Sequence, residues 1–306
     1  MNIYALSTSW NSCHHNDGNA LIQEILHAGY THIEAEYRLT AEMLAVLVSM
    51  HKRKEITIVS LHNFCPIPEI LKREQGSGDA LLLTSLDEDE RTLAVKYSKK
   101  TIELANDLGN VPVVFHTGYV QVKERHKSTH NLVELIKQDK QEEAEKSFLE
   151  MQITRQKYIQ PHFDQLLRSL DTLNEYGFRY GVKLGIENRY HYYDIPDFTE
   201  MGTILNNFAG GNIGYWHDVG HAQMFEYLNL RKHQEFLEAY ADKIIGIHLH
   251  DMVADRDHQA PGKGHIDFKM VAKYLKPETV RILEVHPPDT TQDLKSGVEV
   301  LHSAGI

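Results

Sequence analysis

Short apolar runs recur along this chain with an amphipathic stretch between each pair, and run after run ends on a residue able to bind a divalent cation. The endings read Ser60-Leu61-His62-Asn63, Phe115-His116-Thr117-Gly118 and Gly185-Ile186-Glu187-Asn188-Arg189, then Trp216-His217-Asp218-Val219-Gly220-His221. They continue as Ile247-His248-Leu249-His250-Asp251, Asp257-His258 and Ile282-Leu283-Glu284-Val285-His286. Strand-like runs alternating with helical ones are the pattern of repeated βα units and a parallel sheet. When such a sheet closes, the carboxyl ends of its strands meet at one mouth. A chain with His, Asp or Glu at that phase of its repeats therefore gathers them in one place.

The spacing predicts strands at 3–8, 32–36, 56–62, 111–116, 183–187, 213–218, 244–248 and 281–285. Helices are expected at 19–28, 40–51, 88–108, 158–176, 199–208, 232–241, 268–275 and 291–304, with Gly29, Gly109 and Gly177 as stops after three of them. Eight strands and eight helices use nearly the whole chain, so the expected fold is α/β, a single (β/α)8 TIM barrel domain over residues 1–306. One segment is surplus. Residues 119–157 are charged, with helical spacing around Leu132, Leu135 and Ile136. They read as a helical insertion after strand four, either a solvated excursion or a lid over the catalytic end.

Composition excludes several classes. The 306 residues include 42% hydrophobic ones, enough for a large core. A net charge of −11 argues against nucleic acid as a partner, because that affinity rests on cations meeting phosphates. Two cysteines, Cys13 and Cys65, make no disulfide framework and fit a reducing cytoplasm. The start, Met1-Asn2-Ile3-Tyr4, lacks the pattern of a secretory signal, and no apolar run approaches membrane-spanning length. A small molecule is the expected partner, with room for a homo-oligomer.

Glu187, Asp218, His248 and Glu284 form the strongest candidate set. Three carboxylates and an imidazole suit Mn²⁺, Zn²⁺, Mg²⁺ or Co²⁺, and strands five to eight are barrel neighbours, so one ion can touch all four. His62, His116, His221 and His258 extend the set. As ligands they imply two or three ions with Glu187 as a bridge; otherwise they bind substrate or orient the ligands. Arg189, two residues past Glu187, is placed to bind a substrate hydroxyl, carboxylate or phosphate, or to pair with a neighbouring acid. Lys263, in Gly262-Lys263-Gly264, sits in a loop whose N–H groups suit an anion; the same loop serves equally to start a helix with Asp267 as N-cap. Glu34 and Glu36 read as polar strand ends. Trp216, Tyr190, Tyr192 and Tyr193 read as a wall for a sugar face or as core.

In the order and spacing of these segments, together with Pro261-Gly262-Lys263-Gly264-His265-Ile266-Asp267-Phe268, the chain resembles the xylose-isomerase-like barrel superfamily. That superfamily holds sugar isomerases, ketose epimerases and endonuclease IV. The resemblance implies a metal-dependent isomerase or epimerase acting on a sugar or sugar phosphate through an enediolate. In the epimerase branch Glu187, Asp218, His248 and Glu284 match the ligands of one metal. Glu187 and Glu284 there also exchange protons with substrate, and His221 matches a substrate-binding histidine; His62, Arg189 and Lys263 are further substrate-binding candidates. Endonuclease IV offers an alternative, a zinc phosphodiesterase for abasic DNA, whose multi-zinc set maps onto His62, His116, Glu187, Asp218, His221, His248, His258 and Glu284. It expects one more acid two residues before the last histidine, where this chain has Arg256, so a full site requires Asp255 or Asp257 in its place. A third reading is a metal- or sugar-binding protein without turnover.

Overall fold

Apolar runs too short for helices and rich in branched side chains become strands, and here they pair in chain order until the sheet closes. The computed structural model describes residues 4–123 and 125–306. Strands β1 (Ala5–Ser7), β2 (His32–Ala35), β3 (Thr57–His62), β4 (Val113–Phe115), β5 (Leu184–Glu187), β6 (Ile213–Asp218) and β7 (Ile244–Leu249) lie side by side, all parallel. A two-stranded hairpin follows, β8 (Asp251–Val253) and β9 (Arg256–Gln259), outside the barrel. Strand β10 (Val280–Leu283) then pairs with β7 and β1 and closes an eight-stranded barrel. The expected fold class is observed, and each expected strand is present to within two residues at either end; Ile3 lies outside the described residues.

The helices around it are α1 (Gly18–His27), α2 (Ala41–Lys52), α3 (Glu88–Asp107), α4 (Arg125–Lys137), α5 (Gln141–Tyr180), α6 (Phe198–Asn207), α7 (Val219–Tyr227), α8 (His233–Tyr240), α9 (Phe268–Ala272) and α10 (Thr291–Ala304). Two differ from expectation. Residues 158–176 are only the later part of α5, and Gly177 lies inside that helix. Its missing side chain lets the helix approach the barrel, since an added Cβ would lie 3.0 Å from the Val182 carbonyl oxygen. The real stop is Gly181, left-handed at φ 67°. Helix α7 has no amphipathic stripe, because most of its residues are buried, so the 3.6-residue period never shows. Within 119–157, Glu124 lies outside the described residues; the rest contains α4 and the first part of α5, packed as a helical pair.

Inside the barrel Trp216 is fully buried, in a cluster with Ala5, Val114 and Ile282. It fits because both neighbouring strands carry glycine beside it. A Cβ on Gly185 of β5 would meet the indole at 2.8 Å, and one on Gly246 of β7 at 2.2 Å. The indole lies 5.3 Å, centroid to centroid, from His248, forming a dry floor beneath the mouth. Trp216 is thus core. A Gly246→Ala substitution overpacks this floor and is expected to destabilise the protein by about 1–3 kcal/mol. The urea midpoint at unchanged m-value measures it, and an unshifted midpoint contradicts the packing argument.

Candidate metal and substrate site

Each candidate ligand reaches the mouth because its strand ends there. Glu187 and Asp218 are the last residues of β5 and β6, His248 is next to last in β7, and Glu284 follows β10 directly. Their four ligand atoms lie within 4.8 Å of one another. His248 Nδ1 is the hub, 2.7 Å from Glu187 Oε1, 2.9 Å from Glu284 Oε2 and 3.7 Å from Asp218 Oδ2. Its Nε2 lies 3.2 Å from Glu34 Oε1. Glu34, read from sequence as a plain strand end, is therefore part of the cluster, held by the Ser60 hydroxyl at 2.8 Å. Glu36 instead pairs with Arg38 at 2.9 Å.

Asp218 also caps α7, accepting the His221 N–H at 2.7 Å. Strand end and helix start are one residue, so Asp218 and His221 enter the mouth together. His116 Nε2 lies 2.8 Å and His62 Nε2 3.5 Å from Glu187 Oε2, forming a second possible ligand group. Asp257 and His258 complete a third with His221. Between Asp251–Gln259 and Val253–Arg256 pairing, β9 carries one residue more than β8. This bulge, with His258 left-handed at φ 54°, turns both Asp257 and His258 toward the mouth. Of the two acids beside Arg256, the structure thus brings Asp257 together with His221 and His258, which residue spacing alone could not decide.

Tautomers test whether a cation fits. His62 Nδ1 lies 3.2 Å from the Asn63 carbonyl, His221 Nδ1 2.8 Å from the Asn188 carbonyl and His258 Nδ1 3.0 Å from the Glu284 carbonyl. A carbonyl only accepts, so each Nδ1 carries a proton and donates it, which turns Nε2 toward the mouth. Each Nε2 faces a carboxylate: Glu187 for His62, and Asp257 for His221 and His258, at 3.8 Å and 3.5 Å. A proton on the ring or a metal cation between ring and acid satisfies such a pair, and the ring is already oriented to offer Nε2 as a ligand. Glu187 Oε2 is buried without a hydrogen bond that satisfies it. The donor set fits divalent metal.

The surrounding field agrees. Burial alone would push the Glu187 and Asp218 carboxyls up, but neighbouring imidazoles outweigh it and hold both well below the usual range. Burial likewise opposes charge on His248, and the Glu284, Glu34 and Glu187 carboxylates overcome it and drive that imidazole well up. Asp218 likewise raises the pKa of His250 to about 9 against the pull of burial, so His248 and His250 offset part of the charge of the four enclosed carboxylates, and what stays uncompensated is costly.

A buried chain of hydrogen bonds supports the floor. Asn188 Oδ1 accepts from the Asp218 N–H at 2.8 Å and from the Tyr215 hydroxyl at 3.0 Å. The Tyr215 proton being committed, His217 Nδ1–H donates to the Tyr215 oxygen at 2.8 Å. His217 Nε2 must then accept from His233 Nε2–H, at 2.9 Å. Both rings are neutral: burial lowers the His217 pKa well below normal and that of His233 to about 4.

A cavity of about 560 Å³ opens beside the cluster, lined by His116, His221, Asp257 and Arg189 together with Asp79, Tyr119, Arg125, Tyr190, His191 and Asp194. Arg189 is brought to the site, though β5 stops two residues before it. Lys263 is not. Its Nζ pairs with Asp289 at 2.7 Å and Asp293 at 2.8 Å. Its loop does bind an anion, the chain's own: Asp251 accepts from the N–H groups of Gly262 at 2.8 Å and Ile266 at 3.1 Å. Asp267 caps α9, as expected. Sequence reasoning passed over Asp79, Arg125 and Asp194, which lie in loops and in the insertion with no strand phase to mark them. It also passed over His250, whose Nε2 lies 3.0 Å from Asp218.

A closed parallel barrel with His, Asp and Glu at its mouth defines a class, and the chain belongs to the xylose isomerase-like TIM barrel family, whose model matches residues 22–304. It is 26% identical over 195 residues to an uncharacterised protein of Methanocaldococcus jannaschii, covering 63% of this chain and 55% of that one. A second protein of that organism is 33% identical over 114 residues, which is 37% of this chain and 42% of its own length. The chain thus spans about half the length of the curated relatives it matches. Among solved structures, a D-tagatose 3-epimerase-like protein superposes with TM-score 0.67 at 20% identity, over 99% of this chain and 96% of its own. The E. coli 3-keto-D-glucoside 4-epimerase YcjR gives 0.68 at 12%, over 99% and 100%. The IOLI protein with a bound zinc atom gives 0.65 at 17%, over 99% of each chain. At these identities the likeness concerns the fold. No helix among the described residues is long and apolar enough to cross a membrane.

The neutral His233 makes stability depend on pH. Its folded pKa of about 4 lies below the value near 6.5 of the unfolded chain, so acid favours unfolding. The contribution is complete above about pH 6.5 and is lost as pH falls toward 4, by up to ~3 kcal/mol at 1.4 kcal/mol per pKa unit. Urea midpoints from pH 7.5 to 4.5 should fall less steeply for His233→Gln than for wild type; equal slopes would refute the assignment.

Proposed function

We propose that this protein is a divalent-metal-dependent isomerase or epimerase acting on a sugar or sugar derivative, by proton transfer beside a carbonyl. The observation that carries this reading is the pair of glutamates at the two ends of one row. In barrel order β5, β6, β7 and β10 supply Glu187, Asp218, His248 and Glu284, and the glutamates approach His248 Nδ1 at 2.7 Å and 2.9 Å. Two carboxylates flanking one binding position suit removal of a proton from one face of a carbon and return to another. The likeness to epimerase folds points the same way.

A bound divalent ion would supply positive charge against developing negative charge on the substrate oxygens, and Glu187, Asp218, His248 and Glu284 would hold it. This chain's residues do the rest. One glutamate accepts the proton beside the carbonyl, and the other donates one. His221, its Nδ1 fixed by the Asn188 carbonyl, presents Nε2 to a substrate hydroxyl. Trp216 closes the floor against water, and the insertion helix α4, tied to the mouth by Arg125–Asp194 and Lys137–Asp255, covers the cavity as a lid.

A specific observation favours a second reading. The groups His62–His116–Glu187 and His221–Asp257–His258 would accommodate two further ions, as a metal phosphodiesterase would use. Elemental analysis of protein purified without chelator separates the two: about one ion per chain supports the first reading, and three with cleavage of abasic-site DNA supports the second. For the isomerase, Glu187→Gln and Glu284→Gln should each lower turnover by at least ~10²-fold. Substrate turned over in D₂O should gain deuterium at the reacting carbon. Full retention of a label there would indicate a hydride shift and overturn the proton-transfer reading.

A further inference from the structure

The mouth cavity has two chemically different ends. His116, His221 and Asp257 lie at the ligand cluster; Arg125, Arg189, Asp79 and Asp194 pair with one another on the other side, joined to it where Asp79 comes within 3.7 Å of His116 Nδ1. The two guanidinium groups there are 9% and 5% exposed, and charge at that depth persists only when paired. Their pairing is uneven. Arg125 gives two hydrogen bonds to Asp194 Oδ1, from Nε at 2.9 Å and Nη2 at 2.6 Å, while Asp194 Oδ2 takes the His191 N–H at 3.2 Å. Asp194 is thus fixed into its own loop.

Arg189 is held far less completely. Its Nη2 meets Asp79 Oδ2 at 2.5 Å and comes only to 3.5 Å from Asp194 Oδ2. Its Nε and Nη1 are buried without an acceptor, and Asp79 Oδ1 is buried without a donor. A guanidinium and a carboxylate left to themselves form two parallel hydrogen bonds, so this end-on contact leaves both groups underused. Asp79 comes from the loop between β3 and α3, which lies over the site so closely that a Cβ on Gly78 would fall 2.6 Å from His116 Nδ1. Its carboxylate reaches the far end of the cavity from outside the barrel.

We propose that Asp79 occupies the seat of a substrate carboxylate, and that the far end of this cavity selects a sugar acid by binding its single carboxylate on Arg189 and Arg125. The sugar part of this statement rests on the isomerase or epimerase reading; the anion seat does not. Charge sets the class of anion. His116 also faces Asp79, at 3.7 Å, but turns its other nitrogen to Glu187 at 2.8 Å; setting that pair aside, two guanidinium groups less the fixed Asp194 leave one positive charge, which Asp79 now balances and one ligand carboxylate would balance in its place. His191 adds none, because burial lowers its pKa to about 4. A phosphate monoester, near two negative charges at neutral pH, would leave an excess of negative charge there. A planar carboxylate also matches the guanidinium edge that Asp79 uses incompletely.

Calorimetric titration at constant ionic strength tests the seat, with acetate and inorganic phosphate as probes, on protein as purified and again after chelator treatment. Asp79→Ala should bind acetate at least tenfold more tightly than wild type, with and without metal, and phosphate should gain less than acetate. Adding Arg189→Met to Asp79→Ala should abolish the gain; should that variant not fold, Arg125→Gln on the same background should reduce it. No tightening in Asp79→Ala, or a gain that survives Arg189→Met, overturns the proposal. A larger gain for phosphate than for acetate overturns the choice of carboxylate. These readouts need no turnover, so failure of the isomerase reading would leave an acetate gain intact, and failure of the seat would leave deuterium exchange on neutral sugars intact.

Discussion

Imidazole rings turned toward carboxylates across the barrel mouth are the arrangement around which this molecule is organised. His62, His221 and His258 each commit Nδ1–H to a backbone carbonyl, which fixes each ring with Nε2 toward the acid opposite. Glu187 and Asp257 lie opposite those nitrogens. Positive charge between ring and acid, a proton or a bound cation, satisfies each pair, and the backbone holds the arrangement in place. Asp218 ends a strand and caps a helix with the same carboxylate. The bulge in β9 turns two successive side chains to one side. Glycines on two strands make room for the indole that keeps the floor dry.

Around this cluster the chain divides labour by element. The strands deliver the carboxylates and imidazoles of the cluster at fixed depth, because a barrel strand has little freedom once its neighbours are paired. The loops and the insertion deliver charge for recognition: Asp79 from the loop after β3, Arg125 from α4 and Asp194 from the loop after β5. Helix α4 is fastened at both ends, Arg125 to Asp194 and Lys137 to Asp255. Asp255 sits in the β8–β9 turn and also accepts from the Tyr190 hydroxyl through its carbonyl at 2.5 Å. The insertion and the hairpin carrying Asp257 and His258 are therefore joined, and any displacement of one is felt by the other.

Where the sequence was legible, a physical period made it so. Strand ends were readable because buried parallel strands are unbroken apolar runs that stop sharply at a polar residue. The convergence of Glu187, Asp218, His248 and Glu284 followed from the same phase. Periodicity failed where burial surrounded an element, as in α7, and where packing overrode a local signal, as at Gly177, which reads as a stop yet serves close approach. Glu34 shows a third kind of failure. Its ending on β2 looked like any polar strand end, and only the position of His248 across the barrel gives it a partner.

By itself, then, the sequence determined the barrel, its strand order and the residues that crowd its mouth, since these depend on local period and on the geometric fact that parallel strand ends converge. Tertiary structure decided what those residues are to one another. How the His221 and His258 rings are turned depends on carbonyls brought in from Asn188 and Glu284, far away along the chain. Whether Asp257 can stand in for a missing acid depends on one extra residue in a hairpin. Lys263 and Arg189 look alike as candidate anion binders in the sequence. The fold hands Lys263 to Asp289 and Asp293 and leaves Arg189 half satisfied in the cavity. Side-chain pairing of this kind is a property of distances in space, which no spacing along the chain encodes.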